Sequence, residues 1–185
     1  MAGWADTSAA QHATLWNGTT VTDLGTLGGD HSQAHAINEA GQVAGWANTT
    51  GNAAQHATVW NGSKTTDLGT LGGPNSRAND INDAGQVTGD SRTTGDVTTH
   101  ATVWNGSTAT DLGYGVSIAY AINNAGKVVG ESFSLYDGFH ATVWNGATAA
   151  DLGRGIARAV NDAGQIAGSD LGSDGPDWLR HATLC

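Results

Sequence analysis

The sequence predicts an all-β fold, and within that class a small β-propeller. Three observations carry the expectation: a segment that returns five times, two further segments that return in fixed phase with it, and turn-forming residues between them. HATLW at 12–16 recurs as HATVW at 56–60, 100–104 and 140–144 and as HATLC at 181–185, at spacings of 44, 44, 40 and 41 residues. The triplet DLG begins at Asp23, Asp67, Asp111 and Asp151, each eleven residues after the preceding repeated histidine. A third segment reads AINEAGQVAG at 36–45, DINDAGQVTG at 80–89, AINNAGKVVG at 121–130 and AVNDAGQIAG at 159–168. The opening AGWA matches only the tail of that unit, with Gly3-Trp4-Ala5 aligning with Gly45-Trp46-Ala47.

Each full repeat therefore holds four short apolar segments separated by turn chemistry. They are too short for helices and contain Val, Ile, Thr and Trp, so they read as strands. AIN meets QVxG across an Asn/Asp-Ala-Gly turn, and HATxW meets the DLG segment across an Asn-Gly turn, the strongest short-range hairpin signal. With 28 glycines against 2 prolines, the turns favour residues that tolerate positive φ over rigid corners. Within HATVW, period-2 geometry puts Ala and Val on one face and His, Thr and Trp on the other. Both faces then need cover.

Four strands in about 42 residues is the size of one propeller blade, and a blade buries its two faces only against neighbours, so a ring follows. A β-solenoid has shorter coils without regular hairpins, and a sandwich does not require such identity between repeats. The strand segments number eighteen, where five complete blades need twenty and four need sixteen. The expectation is a single domain over residues 1–185, with five blades and an incomplete closing blade. The alternative is a four-bladed ring with one extra or exchanged hairpin. Either leaves unpaired strand, which predicts self-association through open edges.

At these residues the sequence resembles the bacterial HAF-type extracellular repeat, in which a His-Ala-Phe-Leu-Trp segment, a Thr-Asp-Leu-Gly-Thr-Leu-Gly-Gly segment and an Ile-Asn-Asp-Ala-Gly-Gln-Val-Val-Gly segment recur. The match spans essentially the whole chain and is closest over His56–Gly89, which holds TDLGTLGG and INDAGQVTG. Thr14, Thr58, Thr102, Thr142 and Thr183 stand where the family has Phe, and the TLGG extension is missing after Gly113 and Gly153. The resemblance implies an extracellular or surface-exposed bacterial protein. It implies no reaction, because the family is defined by its repeat.

Composition narrows the partners. Seven Lys and Arg against seventeen Asp and Glu give a formal charge of −10, which repels phosphate backbones and argues against nucleic acid. No apolar run approaches the roughly 20 residues that cross a bilayer as a helix, so no membrane partner is expected. The start, MAGWADTSAAQ, shows no export signal, as a secreted chain supplied without its leader would also not. Cys185 is the one cysteine, which excludes an intrachain disulfide and a cysteine-based zinc cluster and leaves a terminal thiol able to link two chains.

Among candidate site residues, the repeated His12, His56, His100, His140 and His181 invite a metal or pH-sensing role. A residue present in every repeat is first explained by what every repeat needs, so they are expected to bond a neighbouring turn or blade, with no metal. Trp16, Trp60, Trp104 and Trp144 precede the Asn-Gly turns and are expected in the core. Asp23, Asp67, Asp111 and Asp151 lack the ligand density of a calcium loop and are expected to cap turns. The Asn38, Asn82, Asn123 and Asn161 set introduces the turn before Ala-Gly. Trp4, Trp46 and Trp178 fall outside the strict pattern, so the fold does not demand them, and they are the candidate ligand-binding residues.

Repetition supplies the same groups several times, whereas catalysis requires different groups meeting once. No nucleophile–base pairing, phosphate loop or HExxH signature is present. The expectation is no enzyme and no cofactor. Deviating segments such as 48–55, 92–99, 133–139 and 170–180 are where individual function would sit, and Asp170–Arg180, with Asp170, Asp174, Asp177 and Trp178, is the most distinctive. The expected function is a multivalent, lectin-like module for a glycan or surface polymer; the alternative is a self-assembling structural repeat without a small ligand.

Overall fold

The computed structural model describes residues 2–7, 10–113, 115–170 and 181–184; for 2–7 and 181–184 only the backbone strands are described. The fold is all-β. Four antiparallel sheets follow one another along the chain, and none closes on itself. The first contains β1 (Ala2–Thr7), β2 (Ala10–Asn17) and β3 (Thr20–Asp23). The second contains β4 (Gly28–Ile37), β5 (Val43–Thr49), β6 (Gln55–Asn61) and β7 (Lys64–Asp67). The third contains β8 (Gly72–Ile81), β9 (Gln86–Thr93), β10 (Thr99–Asn105) and β11 (Thr108–Asp111). The last contains β12 (Ser117–Ile122), β13 (Lys127–Ser134), β14 (Gly138–Asn145), β15 (Thr148–Val160), β16 (Ile166–Asp170) and β17 (His181–Leu184).

In every sheet the strands pair in sequence order, as a meander. The six-stranded sheet is two repeat units joined through β15: its first part, to Arg154, pairs with β14, and from Gly155 onward it pairs with β16. Five units thus stand in series. Among the described residues the only helical turns are the short 3-10 segments Thr50–Asn52 and Thr94–Asp96.

Turn chemistry differs slightly from the expected Asn-Gly pair. Asn17, Asn61, Asn105 and Asn145 are still paired strand residues, opposite Thr20, Lys64, Thr108 and Thr148, so the two-residue loop begins at glycine. Gly18, Gly62, Gly106 and Gly146 hold φ of 58 to 59°, the first-position glycine of a type II′ hairpin. At the other turn the Gly41 amide bonds the Asn38 carbonyl at 3.0 Å. Gly41 itself takes φ 76°, a conformation that strains any residue with a Cβ.

The core is a row of interfaces between successive units rather than one central mass. Ala13, Leu24, Ala34, Val43, Ala47 and Trp60 join the first unit to the second. Ala44, Ala57, Val59 and Leu68 meet Ala78, Ile81, Val87 and Trp104 at the next junction. Ala101 and Leu112 meet Ala119, Ile122, Val128 and Trp144 at the third. Ala121, Val129 and Val143 meet Ala157 and Ile166 at the fourth. Period-2 alternation explains this: in β6, Ala57 and Val59 face the following unit while Trp60 faces the preceding one. Each indole removes on the order of 200 Å² from water, so Trp60, Trp104 and Trp144 dominate the hydrophobic stabilisation of the first three junctions.

Polar groups repeat the same junction. Ser76 Oγ accepts the Ala57 amide (2.9 Å) from the preceding unit and donates to the Gly69 carbonyl (2.6 Å). Ser32 does the same with Ala13 and Gly25, and Ser117 accepts the Ala101 amide. On the opposite turns, Asn38 Nδ2 donates to the Asn82 carbonyl, Asn82 to that of Asn123, and Asn123 to that of Asn161, at 3.0, 3.1 and 2.9 Å. The Oδ1 of each asparagine meanwhile accepts the amide four residues on, closing its own turn. Every junction is therefore fastened by buried apolar contact and by hydrogen bonds between matching positions.

Candidate functional site

The repeated histidines are held by the repeated aspartates. His12, His56, His100 and His140 present Nδ1 to Asp23, Asp67, Asp111 and Asp151 at 2.8, 2.8, 2.8 and 2.7 Å. The second carboxylate oxygen accepts the amide of Gly25, Gly69, Gly113 or Gly153, which caps the loop after the strand. Burial works to raise the Asp23 pKa, but the hydrogen bonds from His12 and Gly25 and the His12 charge outweigh it and hold it below the usual carboxylate range. His140 is additionally 2.9 Å from Asp137 through Nε2. His181 lies where only the backbone strand is described.

Trp60, Trp104 and Trp144 are 1, 0 and 1% exposed, and Trp16 is half-buried. Trp144 Nε1 donates to the Leu112 carbonyl at 3.0 Å, whereas the indole N–H groups of Trp60 and Trp104 have no partner. Of the candidate ligand-binding tryptophans, Trp46 is half-buried and donates Nε1 to Gln33 Oε1 at 3.2 Å. Trp178, with most of Asp170–Arg180, lies outside the described residues, and of Trp4 only the backbone in β1 is described. Among the described residues no three His, Cys, Asp or Glu side chains cluster as metal ligands.

One position that varies between repeats lies at a bulge. The first full strand of each later unit slips by one residue against its neighbour between Ala34 and Ala36, Ala78 and Asp80, Ala119 and Ala121, and Ala157 and Ala159. The bulged residues are His35, Asn79, Tyr120 and Arg158, four different side chains on an otherwise repeated frame. His35 Nδ1 donates to the Ala78 carbonyl (2.7 Å) and Asn79 Nδ2 to that of Ala119 (2.8 Å). Tyr120 donates to Glu131 (2.8 Å) beneath the Arg158 guanidinium, 4.1 Å from its ring centroid. Burial, then the hydrogen bond to Glu131 and its charge, push the Tyr120 hydroxyl up to about 12.

Beside this row a cleft of about 480 Å³ opens where the second, third and fourth units meet. Its polar lining is Gln55, Asn75, Arg77, Asp90, Arg92 and Thr99, and Val116 and Ile118 form an apolar wall. Arg77 sits opposite Asp90 in the ladder, and donates to Gln55 Oε1 at 3.4 Å. Arg92 pairs with Asp96 at 3.4 Å. Burial raises the Asp90 pKa against the opposing pull of Arg77, Asn79 and Arg92. Val116 leads directly to an aromatic hairpin, since its carbonyl accepts the Phe133 amide at 2.8 Å. Phe133 and Phe139, the only phenylalanines in the chain, pair edge to face at 5.2 Å while remaining 41 and 39% exposed. At the tip, Leu135 and Tyr136 are 93 and 99% exposed.

Sequence reasoning marked 133–139 as a deviating segment but did not single out these aromatics, although both phenylalanines falling in one seven-residue stretch is a visible signal. Arg77, Asp90 and Arg92 carried no such mark, because only the fold draws them into one cleft. Comparison of the chain with protein-family models and with curated proteins gives no match.

Proposed function

We propose that the chain is a non-enzymatic, lectin-like binding module of the propeller kind, working outside the cell on a glycan or surface polymer. The observation that carries this reading is the juxtaposition of a polar cleft with the solvent-exposed Phe133–Phe139 pair and the Leu135–Tyr136 tip. Exposed aromatics that no core requires offer flat faces for sugar rings, and a mixed set of amide, hydroxyl and charged groups orients hydroxyls. The equivalent strand positions of the second unit hold Gln33 and Trp46, so a counterpart surface there would bind with its own chemistry. Two weak sites on one rigid frame then add as avidity.

A five-bladed ring with an incomplete closing blade accounts for five units whose successive faces bury one another; a four-bladed ring with an exchanged hairpin is its competitor. The HAF resemblance supports an extracellular or cell-surface location. A glycan array is the direct test. Signal on a defined glycan class, lost when Phe133 and Phe139 are both replaced by Ser without loss of the cooperative melt, is the expected result; no signal above background rejects the reading.

Self-association is the second reading, favoured by one observation: β1 and β17 each have a free edge among the described residues. Light scattering across a concentration series separates the two, because assembly predicts a mass that grows with concentration and needs no glycan.

A further inference from the structure

We infer that the cleft between the second, third and fourth units takes an uncharged, hydroxyl-rich sugar rather than an acidic one, an inference that rests on the glycan reading above. Two guanidiniums in one cleft would ordinarily indicate a carboxylate or sulfate ligand. Here each already has an acidic neighbour. Asp90 lies opposite Arg77 in the β8–β9 ladder, and Asp96 stands 3.4 Å from Arg92. An incoming anion would have to settle beside the half-buried Asp90 carboxylate, where the low local dielectric magnifies repulsion, or detach an arginine from its partner. The formal charge of −10 opposes the approach of a polyanion as well.

The same groups suit a neutral sugar. Asp90 accepts from hydroxyl hydrogens, and Arg77 donates to hydroxyl oxygens. Gln55, Asn75 and Thr99 supply neutral groups around them. Val116 and Ile118 offer an apolar wall for the C–H face of a ring, and the Phe133–Phe139 pair beyond Val116 continues it. A ligand that brings hydroxyl donors and acceptors but no charge satisfies Asp90 and Arg77 without upsetting the charge balance between them.

Isothermal titration at physiological ionic strength with a neutral β-glucan and a neutral mannan, against polygalacturonate and dextran sulfate, tests this. At least one neutral polymer should bind while both polyanions give no heat. Asp90→Asn should weaken the neutral ligand by about tenfold or more, the loss of a charge-assisted hydrogen bond. Thr99→Val provides an independent cleft variant should Asp90→Asn melt early, and should also weaken binding. Binding of either polyanion, relieved by added salt, overturns the charge inference while leaving a binding module in place. Unchanged affinity in both cleft variants overturns the assignment of the cleft, and silence from all four polymers overturns the inference together with the reading beneath it.

Discussion

The His100 imidazole stands 2.8 Å from the Asp111 carboxylate, which also accepts the Gly113 amide at 2.9 Å. One carboxylate thus ties the third strand of a unit to the loop that leaves it. Because Asp111 is half-exposed, solvent screening limits the pair, and His100→Ala should cost about 1 kcal/mol. Urea unfolding of His100→Ala, Asp111→Ala and the double variant should show non-additive losses. Strictly additive losses would mean the contact contributes nothing.

His140 adds a pH dependence to the stability of the fold. Burial opposes its charge, but contacts with Asp151 and Asp137 outweigh burial and hold its pKa above the ordinary imidazole value. A group whose folded pKa is raised contributes stability in full below the unfolded value, about 6.5, and loses it as pH rises through the folded one. The urea midpoint should therefore fall as pH rises above about 6.5 more steeply in the native chain than in His140→Gln. Parallel profiles would contradict the assignment.

The three buried tryptophans should not respond alike to Phe. Trp104 Nε1 has no partner, whereas Trp144 Nε1 donates to the Leu112 carbonyl at 3.0 Å. Both substitutions sacrifice packing, but Trp144→Phe also strands a carbonyl and should cost about 1 kcal/mol more than Trp104→Phe. Paired chemical-denaturation curves would read the difference directly.

Gly89 is placed by the bulge beside it. A Cβ there would overlap the Arg77 carbonyl oxygen, as at Gly45 with Gln33 and at Gly130 with Ile118. Gly89→Ala should lower stability by about 3 kcal/mol, whereas Gly95→Ala, a loop position whose Cβ meets only Val97 at an ordinary 3.5 Å, should cost less despite its positive φ. Comparable melting temperatures would refute the packing argument.

Much of the frame was legible in the sequence. HATVW and INDAGQVTG announce strands and turns, and hairpin register follows from turn length, so Thr58 opposite Asp67 was within reach. The eleven-residue offset between His56 and Asp67 and the hairpin joining their strands were equally visible, yet the histidine was expected to bond a neighbouring turn or blade and the aspartate to cap a turn, not each other. The bulge was not legible: a single extra residue such as Tyr120, between Ala119 and Ala121, leaves the apolar alternation looking intact. Nor was the cleft, since Gln55, Arg77 and Val116 belong to three units and only the packing of those units brings them together. Trp46 shows a different limit. Departure from the repeat marked it, but its indole is partly covered and engaged by Gln33.

The succession Asn38, Asn82, Asn123, Asn161 has a consequence for how such a chain changes length. Each of the first three reaches forward to the carbonyl of its own counterpart, so donor and acceptor are the same residue type one period apart. A gene that gains or loses one whole period presents the matching partner at the new boundary, whichever of the 44-, 41- or 38-residue spacings is copied. Duplication then requires no fresh complementarity, and the loops at the far ends of the strands are left to diverge.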